Sequence, residues 1–208
     1  MLLKRISNQI NRCFRQCINA KNRKRIKNTS PTVISSNCTG AFMLHDLQLR
    51  FNSPFVNLYL TPKDFICYLS KMDFYRNQTL EFIQTEKRYP VGKLADLTIH
   101  FMHYHSEQDA AKKWQERTTR MNLANLFIIM TDRDGCTYED LVEFDRLPFA
   151  NKVVFTYKDY PELKSAVKIS GFSELGMVGD LFENTGLFGK RYYDQFDYVE
   201  WFNNGFKN

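Results

Sequence analysis

The first 27 positions contain no acidic residue, although they hold nine Lys or Arg. The other 181 residues hold 20 basic and 23 acidic side chains, so the formal net charge of +6 divides into +9 and −3. The basicity therefore belongs to one segment, and a domain-wide nucleic-acid-binding surface is excluded as the meaning of a pI near 9.0. Long apolar runs are also lacking: nothing approaches the roughly 20 residues that a bilayer-spanning helix needs. The start Met1-Leu2-Leu3-Lys4-Arg5 has no apolar core of signal-peptide length. The expectation is a cytoplasmic chain.

Cysteine is sparse and unpaired in pattern. Cys13, Cys17, Cys38, Cys67 and Cys136 form an odd, scattered set without a C-x-x-C pair, which argues against a disulfide framework. Cys13 and Cys17 lie one helical turn apart, but no second Cys or His pair follows at zinc-finger spacing. Glycosylation triplets begin at Asn28, Asn37 and Asn77; without a secretion signal they read as chance matches.

Aromatic residues, by contrast, are abundant. With 18 Phe, 11 Tyr and 43% hydrophobic residues, the chain can build a substantial core, and disorder is excluded. Two units are expected, a basic amphipathic N-terminal arm over residues 1–29 and a single α/β domain over 30–208. Within the arm, Leu3, Ile6, Ile10, Cys13, Phe14, Cys17 and Ile18 recur at three- and four-residue steps among Lys4, Arg5, Arg12 and Arg15. This predicts a helix, followed by the run Lys21-Asn22-Arg23-Lys24-Arg25. The helix either packs on its own domain or lies on the anionic inner leaflet of a membrane, making the protein peripheral there.

Beyond Pro31, short β-rich runs alternate with helical patterns. Strands are predicted at 32–37, 55–60, 97–104, 126–131 and 153–157, with a weaker one at 166–170. Helices are predicted at 41–50, 63–72, 107–121 and 138–146, and an aromatic tail helix at 191–202. Ser106 and Thr137 carry N-cap signals for two of them. The fold class is α/β: a layered sheet, mostly parallel or mixed, with helices on both faces.

Ligands of such sheets sit beyond the carboxyl ends of the strands. Ser35-Ser36-Asn37-Cys38-Thr39-Gly40 is one such junction. Ser36, Asn37 and Gly40 would cradle an anion, and the helix that follows would lower the pKa of Cys38, a candidate nucleophile. His45, one turn into that helix, is placed to pair with it. Met130-Thr131-Asp132-Arg133-Asp134-Gly135 is the second junction. Asp132 and Asp134 would hold a divalent cation or act as a base, though with Gly135 they are also good turn formers, and Arg133 would bind phosphate or neutralise its neighbours. An Asp-x-Asp unit is how many nucleotide-sugar transferases hold their metal. In His100-Phe101-Met102-His103-Tyr104-His105, strand parity puts His103 and His105 on one face, near the crevice, as candidate proton shuttles.

Several separated segments also carry a family resemblance. They are Ile34-Ser35-Ser36-Asn37-Cys38; Phe51-Asn52-Ser53-Pro54-Phe55 with Asp64-Phe65-Ile66; Tyr89-Pro90-Val91-Gly92; and His100-Phe101-Met102-His103-Tyr104. Further along come Glu107 through Trp114, Arg117 with Arg120-Met121-Asn122, Asp132-Arg133-Asp134-Gly135-Cys136-Thr137, and Phe144-Asp145-Arg146-Leu147-Pro148-Phe149. Over most of residues 30–205 the chain resembles the bacterial family called domain of unknown function 1919, whose members are often labelled exopolysaccharide or capsule biosynthesis proteins. The resemblance implies an α/β fold and a setting among surface-glycan genes, but no reaction. The expected function is group transfer from an anionic activated donor to a glycan; the alternative is a non-catalytic glycan- or partner-binding assembly protein. No nucleic-acid partner is expected.

Overall fold

Residues 126–131, Leu-Phe-Ile-Ile-Met-Thr, are apolar at every position but the last, the composition of a strand covered on both faces. In the computed structural model, which describes residues 2–206, they form β5 (Leu126–Thr131). It pairs in parallel with β1 (Thr32–Ser35) and β6 (Lys152–Thr156), and β6 pairs in parallel with β7 (Ala166–Lys168). The order is β1-β5-β6-β7.

Side-chain alternation along these strands divides the interior in two. Ile34, Ile128, Met130 and Val154 enter one core; Val33, Phe127, Ile129, Val153 and Phe155 enter the other. The first core is closed by α3 (Pro62–Ser70), the short α4 (Met72–Tyr75), α5 (Glu107–Thr118) and α6 (Tyr138–Arg146). A three-stranded antiparallel sheet joins them, β2 (Leu80–Ile83), β3 (Val91–Leu94) and β4 (Leu97–His100). The second core is closed by α2 (Thr39–Leu47) and α7 (Tyr198–Asn204). Each aromatic side chain fully buried there contributes on the order of 2–3 kcal/mol. The expected caps are present: Ser106 Oγ accepts from Asp109 N–H at 3.1 Å, and Thr137 and Asp140 form a reciprocal capping box.

Several expected elements differ. Residues 55–60 bury Phe55, Val56, Leu58 and Leu60 but make only one bridge, Tyr59 to His100, because Asn57 is left-handed (φ 62) and breaks the extended run. The predicted strand 97–104 stops at His100, where tight turns take over: Met102 N–H bonds to the His100 carbonyl and Tyr104 N–H to that of Phe101. Helix 41–50 ends at Leu47, with Gln48 left-handed (φ 58). The 63–72 segment breaks at Lys71, and the 107–121 helix ends at Thr118. The tail is a 3₁₀ turn, Tyr192–Gln195, followed by α7, which Asp197 caps.

The basic segment forms α1 (Leu2–Arg25), packed on α2 and α7 rather than detached from them. The positions expected at Leu3, Lys4, Arg5 and Ile6 lie outside the described side chains. From Ser7 onward the helix docks through its polar stripe, Asn11, Arg15, Asn19 and Asn22, all buried. Arg15 Nε and Asn19 Nδ2 each donate to the Asp46 carboxylate at 3.0 Å, and Arg15 also pairs with Asp194. Tyr193 donates its hydroxyl to Asp46, and Arg191 Nη1 lies 3.3 Å from the same carboxylate. Burial alone would push the Asp46 carboxyl up; Tyr193, Arg15 and Arg191 outweigh it and hold it below the usual range. A buried carboxylate on α2 thus dictates which face of α1 turns inward. Among the described residues, no helix is long and apolar enough to cross a membrane.

Candidate functional site

Where β1 leaves the sheet, Ser36 extends it by backbone alone, donating N–H to the Ile129 carbonyl at 2.9 Å and accepting from Leu60 N–H at 3.0 Å. Asn37 then ties the two strand ends together. Its Nδ2 donates to Thr131 Oγ1 at 2.8 Å, and its Oδ1 accepts from Thr39 N–H at 3.1 Å. The Gly40 N–H donates to Ser35 Oγ at 3.3 Å. A Cβ at Gly40 would come within 2.9 Å of both Ser35 Cβ and Val33 Cγ1. The expected anion cradle is therefore corrected. Ser36 and Gly40 are buried packing positions, and the Thr39 and Gly40 amides are already engaged by side chains of the turn.

Above this junction lies a cleft of about 360 Å³. Asn37 and Cys38 line it from the turn after β1, Thr39 from the start of α2, and Arg133 and Asp134 from the turn after β5. Tyr59, Tyr89, Met102, His103, Asp180 and Phe182 complete it. Five expected residues thus meet there: Asn37, Cys38, His103, Arg133 and Asp134. A larger cavity of about 510 Å³ lies at the opposite, amino ends of β5 and β6, between α4 and Phe149. The smaller cleft is the better candidate because it occupies the ligand side of a parallel sheet and gathers the charged side chains.

The other five expected residues serve elsewhere or stand apart. Ser36 and Gly40 are described above. His45 is exposed beside Asp46, near α1, and makes no pair with Cys38. His105 is exposed outside the cleft; the parity that joined it to His103 fails because the strand ends at His100. Asp132 is buried, and its two oxygens accept backbone N–H from Tyr157 and Val178, both at 2.7 Å. Burial raises its pKa against those two hydrogen bonds. It clamps two loops, with each carboxylate oxygen engaged by a backbone N–H. Among the described residues no group of three or more His, Cys, Asp or Glu converges as a metal site, and of the Asp-x-Asp pair only Asp134 lines the cleft.

Asp134 differs from Asp132 through one turn. It is left-handed (φ 59), as is Gly135 (φ 84), and the Cys136 N–H closes the turn onto the Arg133 carbonyl at 3.1 Å. Asp-Gly tolerates this geometry and turns Asp134 away from the core into the cleft. Arg133 pairs with Asp180 across the cleft wall. Burial, reinforced by Asp180 and opposed by Arg133, pushes the Cys38 thiol up to about 11. That is opposite to the expected activation, and Cys38 enters the cleft as a neutral thiol. Burial and the neighbouring Tyr89 and Asp134 push Tyr59 up to about 12, leaving a phenol that donates. The Tyr59 ring stacks on His100 with centroids 4.4 Å apart, and Tyr89 meets His100 edge-on at 6.0 Å. Burial, then Lys87, lowers the His100 pKa, so that imidazole is a neutral support for the two rings.

Sequence reasoning did not select Tyr59, Tyr89, Asp180 or Phe182. Tyr89 stood within a segment that carried the family resemblance, but the β2–β3 hairpin that delivers it was unassigned. Asp180 and Phe182 come from an irregular segment without periodicity; Phe182 is fixed by stacking on Phe42 of α2 at 4.1 Å.

The sequence profile of the family described as domain of unknown function (DUF1919) matches residues 9–203. The chain belongs to this family. The matched range includes α1 from Gln9 onward, in keeping with the docked helix. An uncharacterized protein of Haemophilus influenzae is 61% identical over 199 residues, covering 96% of this chain and 97% of that protein.

Proposed function

We propose that the cleft binds a sugar unit and transfers a group to or from it in surface-polysaccharide biosynthesis, using an anionic activated donor. The observation that carries this reading is the meeting, in one cleft, of flat aromatic rings with hydrogen-bonding charged groups. Tyr59, Tyr89 and Phe182 present the ring faces and edges against which a pyranose packs. Asp134, Asp180 and Asn37 supply oxygen and amide partners for hydroxyl groups. Arg133 is the cation among the lining residues; the donor's phosphate would replace Asp180, which meets it through one oxygen, and could bind it bidentately. His103, exposed at the rim, would take the proton of the acceptor hydroxyl, with Asp134 orienting it. The surface-glycan setting is what the family resemblance implies.

The test is a thermal-shift and turnover screen of nucleotide sugars on the full-length chain. A donor at about 100 times its Kd stabilises the folded state by about 2.7 kcal/mol. Arg133→Gln is expected to abolish that shift, whereas His103→Ala retains binding and loses turnover. No shift with any nucleotide sugar or free glycan would sink the proposal. The aromatic lining also fits a non-catalytic glycan-binding role; in that case His103→Ala would leave both binding and polysaccharide output unchanged.

A further inference from the structure

We propose that the outward face of α1, together with the loop after Phe182, docks on the surface of an anionic lipid bilayer. This rests on a different part of the molecule from the cleft and holds whether or not the cleft is catalytic. Because Asp46 draws the polar stripe of α1 inward, the stripe at Cys13, Phe14, Cys17, Lys21 and Lys24 faces solvent. α1 thus packs on its own domain and still leaves its apolar edge exposed. Beside it, residues 184–191 form a narrow loop closed by the Asn184–Arg191 bridge.

Gly189 (φ 68) fastens that loop to the helix. A Cβ there would lie 2.5 Å from both Arg15 N and Asn11 O, and its own N–H donates to Asn11 Oδ1 at 2.9 Å. The loop tip is apolar and turned outward: Leu187 is 53% and Phe188 58% exposed, and Phe14, 45% exposed, meets Phe188 edge-on at 5.1 Å. Phe188 is itself left-handed (φ 77). That conformation is costly for an aromatic residue and is retained where the surroundings impose it.

Charge decides what covers this face. Arg15 and Arg25 are paired with the carboxylates of Asp46 and Asp197, and Arg23 donates to the Asp46 backbone carbonyl. Arg12, Lys21, Lys24 and Lys190 are exposed, and Lys21 and Lys190 share one shallow groove of about 290 Å³ whose two acids, Asp194 and Asp197, are already paired with Arg15 and Arg25. The loop from Asn184 to Arg191 contains no acid. A second copy would bring like charges together, and nucleic acid offers no apolar phase for Leu187 and Phe188. A bilayer interface satisfies both halves, phosphate groups for the lysines and acyl chains for the tip. Phe182 of the cleft lies in the segment that leads into this loop, so docking would set the cleft beside the membrane.

Flotation of the full-length chain with phosphatidylcholine vesicles, with and without phosphatidylglycerol, tests this. Binding is expected only to the anionic vesicles. Lys21→Glu/Lys24→Glu should lower it by about 20-fold or more, and Leu187→Ser/Phe188→Ser by about tenfold. All four side chains are exposed, so an unchanged melting temperature checks the fold. Phe188→Trp should show a blue-shifted emission with anionic vesicles alone. Failure to float, equal flotation of the wild type and both double variants, or a solution dimer dispersed by the same substitutions would each overturn the proposal.

Discussion

Two arginine–carboxylate pairs make the same bond in opposite settings. Arg15 and Asp46 join α1 to α2 with side chains 8% and 3% exposed, and Asp194, Tyr193 and Asn19 complete the cluster. Arg133 and Asp180 face each other across the cleft with side chains 30% and 43% exposed, and among the described residues no second acid shares Arg133. The first pair holds structure, because breaking it strands a charge out of water. The second is screened by solvent and contributes little to stability, which leaves it free to exchange one partner for a ligand. Burial, not the bond, separates a structural pair from a binding one.

Arg15→Ala should break the comparison most severely. It leaves Asp46 buried without its main cation, which costs about 3–5 kcal/mol, and the denaturant midpoint should fall accordingly. Arg133→Gln should cost less than about 1 kcal/mol; equal losses for the two variants would refute the distinction. Next comes the contrast between the two neighbouring carboxylates. Asp132→Ala leaves one buried amide, Val178, and one half-buried amide, Tyr157, without an acceptor and should cost about 2–4 kcal/mol. Asp134→Asn, which removes the charge but keeps a residue that tolerates the left-handed turn, should cost less than about 1 kcal/mol while weakening ligand binding. The smallest effect is read from acid titration. Asp46 has a folded pKa below its unfolded value near 3.9. Its contribution is therefore complete above that value and is lost as the pH falls through the folded pKa. His100, whose pKa is lowered by burial and Lys87, adds a separate and earlier loss as the pH falls below its unfolded value near 6.5, because its unfolded form binds the proton more readily. Arg133→Gln should leave this acid limb of a urea-midpoint curve unchanged.

Much of the fold was legible in the sequence. The apolar runs at β1, β5 and β6 and the caps at Ser106 and Thr137 are local signals, and local physics reads them correctly. The cleft was half legible. Cys38, Asn37, Arg133 and Asp134 follow from where a parallel sheet binds ligands. His103 also reached the cleft, but by a turn rather than by the strand parity expected of it. Asp132 could not be told from Asp134, because the same residue two positions away differs only in whether its carboxylate points to Val178 and Tyr157 or into the cleft. Tyr59, Tyr89, Asp180 and Phe182 come from segments far apart in the chain, and no spacing rule joins them.

By itself the sequence determined the parallel core, the two strand-end junctions and the presence of a basic helix at residues 2–25. These depend on periodicity and composition, which act over a few neighbouring residues. Only the tertiary structure decided which face of that helix is inside. Amphipathicity points to the apolar edge, yet Asp46, brought beside Arg15 and Asn19 by the packing of α2, is a buried carboxylate that must be compensated, and the need to pair that charge outweighs the gain from covering Cys13 and Phe14.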